Sequence, residues 1–565
     1  MMRRRMAAIV APVAALGLLL AACGGGSSSG GNSGLQDAGT QQVKNADINA
    51  MPVDQLKDGG DFKWPVDQLP DNWNYNEVDG TVADGAWMFG AIIPYPFPQN
   101  ADATVGVDPS YLTSAEVIST DPQVVELKIN PKAKWSNGRQ FSWEDYAAQA
   151  NVLNGKNPAY QVSGTTGYED IAKVEKGTDD QDVKITFAKK FAEWKSLFSP
   201  LYPKELNADP DTFNKSWAQK PAITAGAFKV KSIDQTGKTA VFERDPNWWG
   251  PKPKLDTVTY KVVERAALPD AFANGQIDFY NLNNDINAFK RAQADPNTVI
   301  RQSNNPDYTH VTFNGAPSSI LADKDLRVAI MKGIDTVGIS KAILGQMQKD
   351  TTPIGNHLYL KGSKTYEDNS GPYKFDATAA KAELDKLGWK QSGDLRAKDG
   401  KQLKLRLVIP SATPISQQTG QIMQSELKAI GVGLDIQAVP STEFFKNYVN
   451  VGNFDLTLFR WLSNSFPIGG SKGIYYLDPK NINQNYGRIG DDKLNQLLDT
   501  AAQELDDTKR AADINAADKE IWALGHQLPI FQSPGAFAVR KTLGNFGSPG
   551  YANTPYDYTK IGFVK

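Results

Sequence analysis

The 565-residue chain has one cysteine and three histidines, and these scarcities exclude more chemistry than any motif admits. A single thiol forms no disulfide within the chain, so the folded body depends on its core, which a chain of this length can supply. His310, His357 and His526 lie far apart, with no H-x-x-x-H pair of the kind that holds zinc. No G-x-x-x-x-G-K-(S/T) phosphate loop occurs. Gly469-Gly470-Ser471-Lys472-Gly473 matches G-x-S-x-G in letters. It follows Pro467 in what reads as a loop, whereas a nucleophile elbow needs a strand before its serine and a helix directly after it. Carboxylate pairs such as Asp491-Asp492 stand at helix starts and read as caps. No catalytic residue, metal site or cofactor is therefore expected. Charge of one sign is also lacking: 61 Lys and Arg against 63 Asp and Glu give a net −2. Nucleic-acid binding needs clustered positive charge, so that partner is excluded. After Ala22 there is no further long apolar run, and the mean hydropathy of −0.43 predicts a soluble body.

The exception is the amino end. Arg3, Arg4 and Arg5 precede an apolar stretch from Met6 to Ala22, interrupted by Pro12 and Gly17. That is the layout of a secretory leader, somewhat short for a span of roughly 20 residues. It stops at Leu20-Ala21-Ala22-Cys23, which resembles the lipobox of bacterial lipoproteins. Residues 1–22 then read as a signal peptide and Cys23 as the lipid-bearing residue at the start of the mature chain. Gly24 to Gly34, GGGSSSGGNSG, has no side chain with which to build a core and reads as a flexible tether, residues 23–50 in all. A coil of that Gly/Ser stretch reaches about 18 Å. Two acyl chains, at about 0.8 kcal/mol per buried methylene, would hold the body durably to the outer face of the cytoplasmic membrane.

About 540 residues follow the leader, enough for two or three lobes. Leu403, Leu405, Leu407 and Ile409 alternate as a strand, and Ser416–Ile430 has helical spacing closed by Gly431. Val432, Leu434 and Ile436 form a second strand, Ser441-Thr442-Glu443 opens another helix, and Phe454–Trp461 is a third strand. This order predicts a parallel α/β unit, whose ligands gather at the carboxyl ends of the strands, where Trp461-Leu462-Ser463-Asn464 lies. Asp376 should cap a helix over 377–387. Segments 124–129 and 182–187 read as strands, and 227–233, 239–244 and 257–263 as a further sheet. Aromatic residues make up 10% of the chain, many beside Pro or Gly, which hints at binding surfaces.

Several segments resemble bacterial extracellular solute-binding proteins of family 5, the oligopeptide and dipeptide receptors of ATP-driven importers. VELKINPKAKWSNGRQFSWEDY (Val125–Tyr146) is similar to the family's strand, W-x-(D/N)-G turn and (T/S)-x-x-D helix start. TAGAFKVKSIDQTGKTAVFERDPNWWG (Thr224–Gly250) resembles the strand pair leading to R-N-P-x-Y-W. Ala273-Asn274-Gly275-Gln276-Ile277-Asp278 follows like L-x-x-G-x-I-D. Phe313-Asn314, Asp325-Leu326-Arg327-Val328-Ala329, Gly333-Ile334-Asp335, Tyr373-Lys374-Phe375-Asp376 and Gln424–Val432 continue in order. The resemblance implies an α/β fold of the type II periplasmic-binding-protein kind, two main lobes plus a smaller third, closing over a solute. Lobe I would comprise 51–89 with 205–315 and 526–565, lobe II 90–204 and lobe III 316–525. It also implies delivery of the solute to a membrane permease and its ATPase by a monomeric receptor.

Most motif residues read as structural: Asp335 and Asp278 as turn or cap residues, Trp248-Trp249 as a packed corner, Asn137-Gly138 as a turn. The Trp461–Phe466 segment is the exception. Peptide-binding members carry W-x-x-D here, and the aspartate receives the ligand's α-ammonium. In this chain that position is Asn464, followed by Ser465-Phe466-Pro467. A neutral amide gives a weaker bond to ammonium than a carboxylate does. Either the solute lacks a fixed ammonium here or another carboxylate supplies the charge. Trp461, Ser463, Asn464 and Phe466 are expected at the ligand, with Tyr95, Phe97, Tyr475 and Tyr476 from Pro/Gly-rich loops and Arg460 as a less favoured carboxylate partner. Short peptides are the expected solute. The alternatives are an oligosaccharide, a metal chelate or a modified metabolite, or a non-transport envelope or signalling lipoprotein of the same fold.

Overall fold

The alternation at Leu403–Ile409 becomes the strand Lys404–Pro410, whose apolar residues face a core between sheet and helices. It runs parallel to Gly433–Val439 on one side, with Leu407 opposite Ile436, and to Leu456–Leu462 on the other, with Leu407 opposite Leu456. The helix Pro414–Ala429 makes the first crossover, and Gly431, at φ +84°, turns the chain back without the steric cost a side chain would meet. The second crossover is only the short turn Ser441–Glu443 running into a π-helical turn, Phe444–Val449. Leu405, Leu407, Met423, Leu427 and Leu456 are buried together with Trp522. Truncating a residue such as Leu407 to alanine costs about 2–5 kcal/mol by transfer and cavity terms.

The computed structural model describes residues 44–565 except Ala83, Asn553 and Thr554. The leader, Cys23 and the Gly24–Gly34 tether lie outside the described residues. Among the described residues, no helix is long and apolar enough to cross a membrane.

Leu456–Leu462 also pairs antiparallel with Thr298–Phe313, which pairs in turn with Gln527–Arg540. Phe279–Asn281 completes a six-stranded mixed sheet. The two long strands run from Thr298 opposite Arg540 to Thr312 opposite Gln527, and their register breaks between Asn304 and Tyr308 and again between Thr309 and His310. One end of the pair joins the core just described, through Val311, Phe313 and Leu528. The other end reaches a second core, through Phe537 and Val539.

That second core lies on a four-stranded sheet in the order Asp61–Val66, Thr257–Val262, Thr239–Arg244, Phe228–Asp234. Trp64 is fully buried, with Phe279 and Tyr556 edge-on at 5.0 Å each. Asp278 accepts the Lys63 amide at 2.8 Å and faces Arg540 at 3.5 Å, so it ties strands together instead of capping a helix. A third core backs the antiparallel sheet Leu112–Thr120, Gln123–Ile129, Asp182–Phe187, Ile171–Lys176.

Here the W-S-N-G and S-W-E-D motifs form one structural clamp. Trp135 stacks on Phe141 at 4.3 Å and donates to Asp145, the carboxylate of a capping box with Ser142 on the helix Trp143–Leu153. Arg139 holds Asp145 and Glu205 bidentately at 2.6–3.0 Å. Trp248 and Trp249, 4.5 Å apart, pack against Tyr111. Asp376, Asp335 and Asp491 each cap a helix, accepting the amides of Ala379, Gly338 and Leu494.

Candidate functional site

The strand Leu456–Leu462 delivers the Trp461–Phe466 segment to the edge of a cavity of about 470 Å³. The Ser463 amide donates to the Pro306 carbonyl at 2.7 Å, fixing the exit from the strand. Asn464 Oδ1 then accepts the Phe466 amide at 2.8 Å, a side-chain-closed turn. Ser465 donates its amide to Gln99 Oε1 at 2.9 Å, across from another part of the chain. Pro467 begins the helix Pro467–Tyr475, where a residue without an N–H costs nothing.

Two of that helix's first free amides, on Ile468 and Gly469, point at Glu193, which accepts them at 2.9 and 2.6 Å. Glu193 is 6% exposed, and burial lifts its carboxyl to about 7 against the pull of those amides. The neighbouring Ala192 amide donates to the Ala502 carbonyl at 2.8 Å. Lys364 pairs with Asp102 at 2.7 Å, which together with Thr104 lowers the Asp102 carboxyl to about 2. Gln99, Asp102 and Glu193 belong to the stretch around the antiparallel sheet. Lys364, Ser465 and Ala502 belong to the stretch around the parallel strands.

Between these two walls, Asp102, Glu193 and Lys195 face Tyr359, Lys364, Asp507 and Arg510. Asn464 and Phe466 line the cavity. Ser463 and Trp461 adjoin it without lining it. The Trp461 ring lies parallel to His310, at 5.7 Å and 7°, and to Tyr486, at 5.9 Å and 9°, with Phe459 edge-on at 5.0 Å. Arg460 turns to Asp307 at 3.5 Å.

The aromatic residues expected from loops are placed differently. Tyr95 is buried in the second core, and Phe97 packs edge-on behind Trp194, whose side chain does line the cavity. Tyr475 is fully buried, its hydroxyl sharing a hydrogen bond with Tyr308 at 2.8 Å. Tyr476 sits under the Lys472 ammonium at 5.1 Å. The stretch 469–473, read as a loop, is helical, so Ser471 lies inside a helix and not on an elbow. His357 is buried on Asp518 at 2.7 Å with its other nitrogen on the Gln527 carbonyl, a structural tie. Among the described residues no group of three or more His, Cys, Asp and Glu side chains is arranged to hold a metal ion. Asp102, Glu193, Lys195, Lys364, Asp507 and Arg510 carried no local signal. They occupy ordinary polar segments and meet only through folding.

Comparison with known proteins places this geometry. The family model described as bacterial extracellular solute-binding proteins, family 5 middle, matches residues 106–481. The oligopeptide-binding protein OppA of Mycobacterium tuberculosis is 39% identical over 523 residues, covering 92% of this chain and 87% of that protein. Among solved structures, the periplasmic EDTA-binding protein EppA superposes with a TM-score of 0.84 at 23% identity, covering 93% of this chain and 99% of the other. AppA from Bacillus subtilis, in complex with a nonapeptide, gives 0.70 at 19% identity, covering 90% and 100%. The expected fold is the observed one, of the type II periplasmic-binding-protein kind. From the family match across two walls and a cavity, together with identity along nearly the whole folded body, the chain belongs to the bacterial extracellular solute-binding proteins, family 5.

Proposed function

We propose that this protein is an exported receptor that takes up short peptides in the cavity beside Asn464 and delivers them to an ABC permease and its ATPase, anchored to the membrane by lipid on Cys23. The observation that carries the reading is a cavity of about 470 Å³ walled on two sides by separate stretches of the chain, which meet at Ser465–Gln99, Gly469–Glu193 and Lys364–Asp102. Its volume falls within the range of pockets for drug-sized ligands. The 39% identity to a protein named for oligopeptide binding supports peptides as the class. Three of the buried cores are consistent with lobes near 51–89 with 205–315 and 526–565, 90–204 and 316–525, except that Ala91, Ile92, Ile93, Tyr95 and Tyr202 pack in the first lobe's core, and the two long strands pass between the first and the last. Lipid on Cys23 and a Gly/Ser tether would keep the receptor at high effective concentration near its permease.

A second reading, a non-peptide solute such as a metal chelate, draws on Asn464, where a peptide receptor would place an aspartate. Native mass spectrometry of protein purified without refolding separates the two. A ladder of co-purifying peptide masses is expected. A single sugar or chelate mass in its place would overturn the peptide reading.

A further inference from the structure

Six charged side chains line the cavity, three of each sign, and they are unequally engaged. Asp102 is held by Lys364 at 2.7 Å. Asp507 is held by Arg510, which also donates to the Glu504 carbonyl. Glu193 spends both oxygens on the amides that open the helix Pro467–Tyr475. Every lining carboxylate therefore already has its partner.

The cations are different. Lys364 and Arg510 are paired, but Lys195 has no carboxylate within 4.0 Å among the described residues. Its ammonium reaches only the Val105 carbonyl, at 3.5 Å, and the face of the Trp194 ring, at 5.5 Å. It is half-buried, so water compensates it only in part. At the position where peptide-binding relatives present a carboxylate to the ligand, this chain has the neutral Asn464, whose Oδ1 is already engaged by the Phe466 amide. A solute entering this cavity meets one unengaged cation and no unengaged carboxylate.

We infer that the cavity holds its solute by a carboxylate, received at Lys195, and leaves the amino end without a fixed charged partner. This rests on the peptide reading above and adds to it a polarity: anchoring at the acidic end, with tolerance of a blocked or absent amine. The Trp194 ring, which forms a wall and carries Lys195 at its face, would shield the pair from bulk water and strengthen it. The shared chemistry is a carboxylate, supplied by the carboxyl terminus or by an acidic side chain.

The test uses the mature chain, depleted of co-purified solute, and pools of random tetrapeptides without Asp or Glu in three forms, free at both ends, N-acetylated and C-amidated, with a fourth pool blocked at both ends and carrying one internal Glu. Bound fractions are read by native mass spectrometry. Free and N-acetylated pools should bind alike, and C-amidation should weaken binding about 10-fold or more, the scale of one charge-assisted hydrogen bond. Binding of the doubly blocked Glu pool would assign the pairing to a side-chain carboxylate; weak binding of that pool would assign it to the terminus. Lys195→Gln should bring the free pool down to the amidated level without affecting the amidated one, and Lys195→Arg should restore it. Equal binding of the free, amidated and doubly blocked Glu pools, or weakening of the amidated pool by Lys195→Gln as strong as that of the carboxylate-bearing pools, would overturn the inference. If the wild-type chain retains none of the pools, the peptide reading itself falls.

Discussion

Glu193 Oε2 accepts the backbone N–H of Gly469 at 2.6 Å, joining the two walls of the cavity by a carboxylate seated on the first turn of a helix. A Cβ at position 469 would stand 3.0 Å from that oxygen, so glycine there permits the close approach. The helix gains a cap that its own sequence does not provide. The Asp102–Lys364 pair and the Ala192–Ala502 hydrogen bond add to the same closure.

Because burial raises the Glu193 carboxyl from 4.5 to about 7, the closed arrangement binds a proton more readily than a form in which Glu193 is solvated. The contribution of this group is therefore fully present below about pH 4.5 and declines as pH rises through about 7. Glu193→Gln, which does not titrate, should remove that dependence. The melting temperature of wild type relative to Glu193→Gln should rise as pH falls across this window. A difference that stays flat from pH 8 to pH 5 would show that the carboxyl is not buried in solution.

His526 acts in the opposite direction. Burial first, then His357 and Arg327, push its imidazole down to about 3, and His310 is also pushed well below its ordinary value. Each binds a proton more readily when unfolded, so stability is complete above about pH 6.5 and is lost as pH falls toward 3. Their effect opposes that of the carboxyls of Glu193 and Glu426, both raised to about 7 by burial. His526→Phe keeps a ring against Tyr475, which the imidazole meets edge-on at 5.0 Å. Chemical denaturation at pH 7.5 and pH 5 should show the variant losing less stability than wild type; an equal loss would place the acid response elsewhere.

Asn464→Asp supplies the carboxylate that the resemblance to peptide-binding members implies at this position. Free-amine peptides should bind about 10-fold tighter, the worth of one charge-assisted hydrogen bond, and N-acetylated ones no tighter. Calorimetric titration with a matched pair measures this. Equal gains for both would mean that residue 464 does not meet the amino end.

Cys23→Ala should release the protein from membranes into the medium and leave solute affinity unchanged. Fractionation followed by a binding assay on the released protein checks both. Continued membrane association would assign the anchor to something other than lipid on Cys23.

The alternation around Leu407 and the glycine at 431 were legible because strand period and left-handed backbone are local properties. The parallel unit they predict is present, though its second crossover is a π-turn where a full helix was expected. Stretch 469–473 was misread for a physical reason. Three glycines in five residues argue against helix, yet Pro467 at the first position and a carboxylate from far along the chain hold one there. That misreading carried Tyr475 with it, from an expected cleft wall to a buried hydroxyl. Glu193 and Ile468 are 275 positions apart, and nothing in either neighbourhood announces their meeting. Asn464 and Phe466, which line the cavity, stand in a segment that resembles a family motif; Lys195 lies outside any motif.

The two long strands slip register between Asn304 and Tyr308, and the Pro306 carbonyl inside that slip receives the Ser463 amide at 2.7 Å. The pair thus resembles a torsion bar with a compliant joint bolted to the Trp461–Phe466 loop at the cavity edge. A load on that loop would reach the strands first at the joint, between the paired stretches that run from Thr298 opposite Arg540 and from Val311 opposite Leu528. Hydrogen exchange should be fastest in this strand at Asn305 and Asp307, the amides flanking Pro306, and slow there when solute is bound; an occupied cleft would then become a change in the angle between distant surfaces.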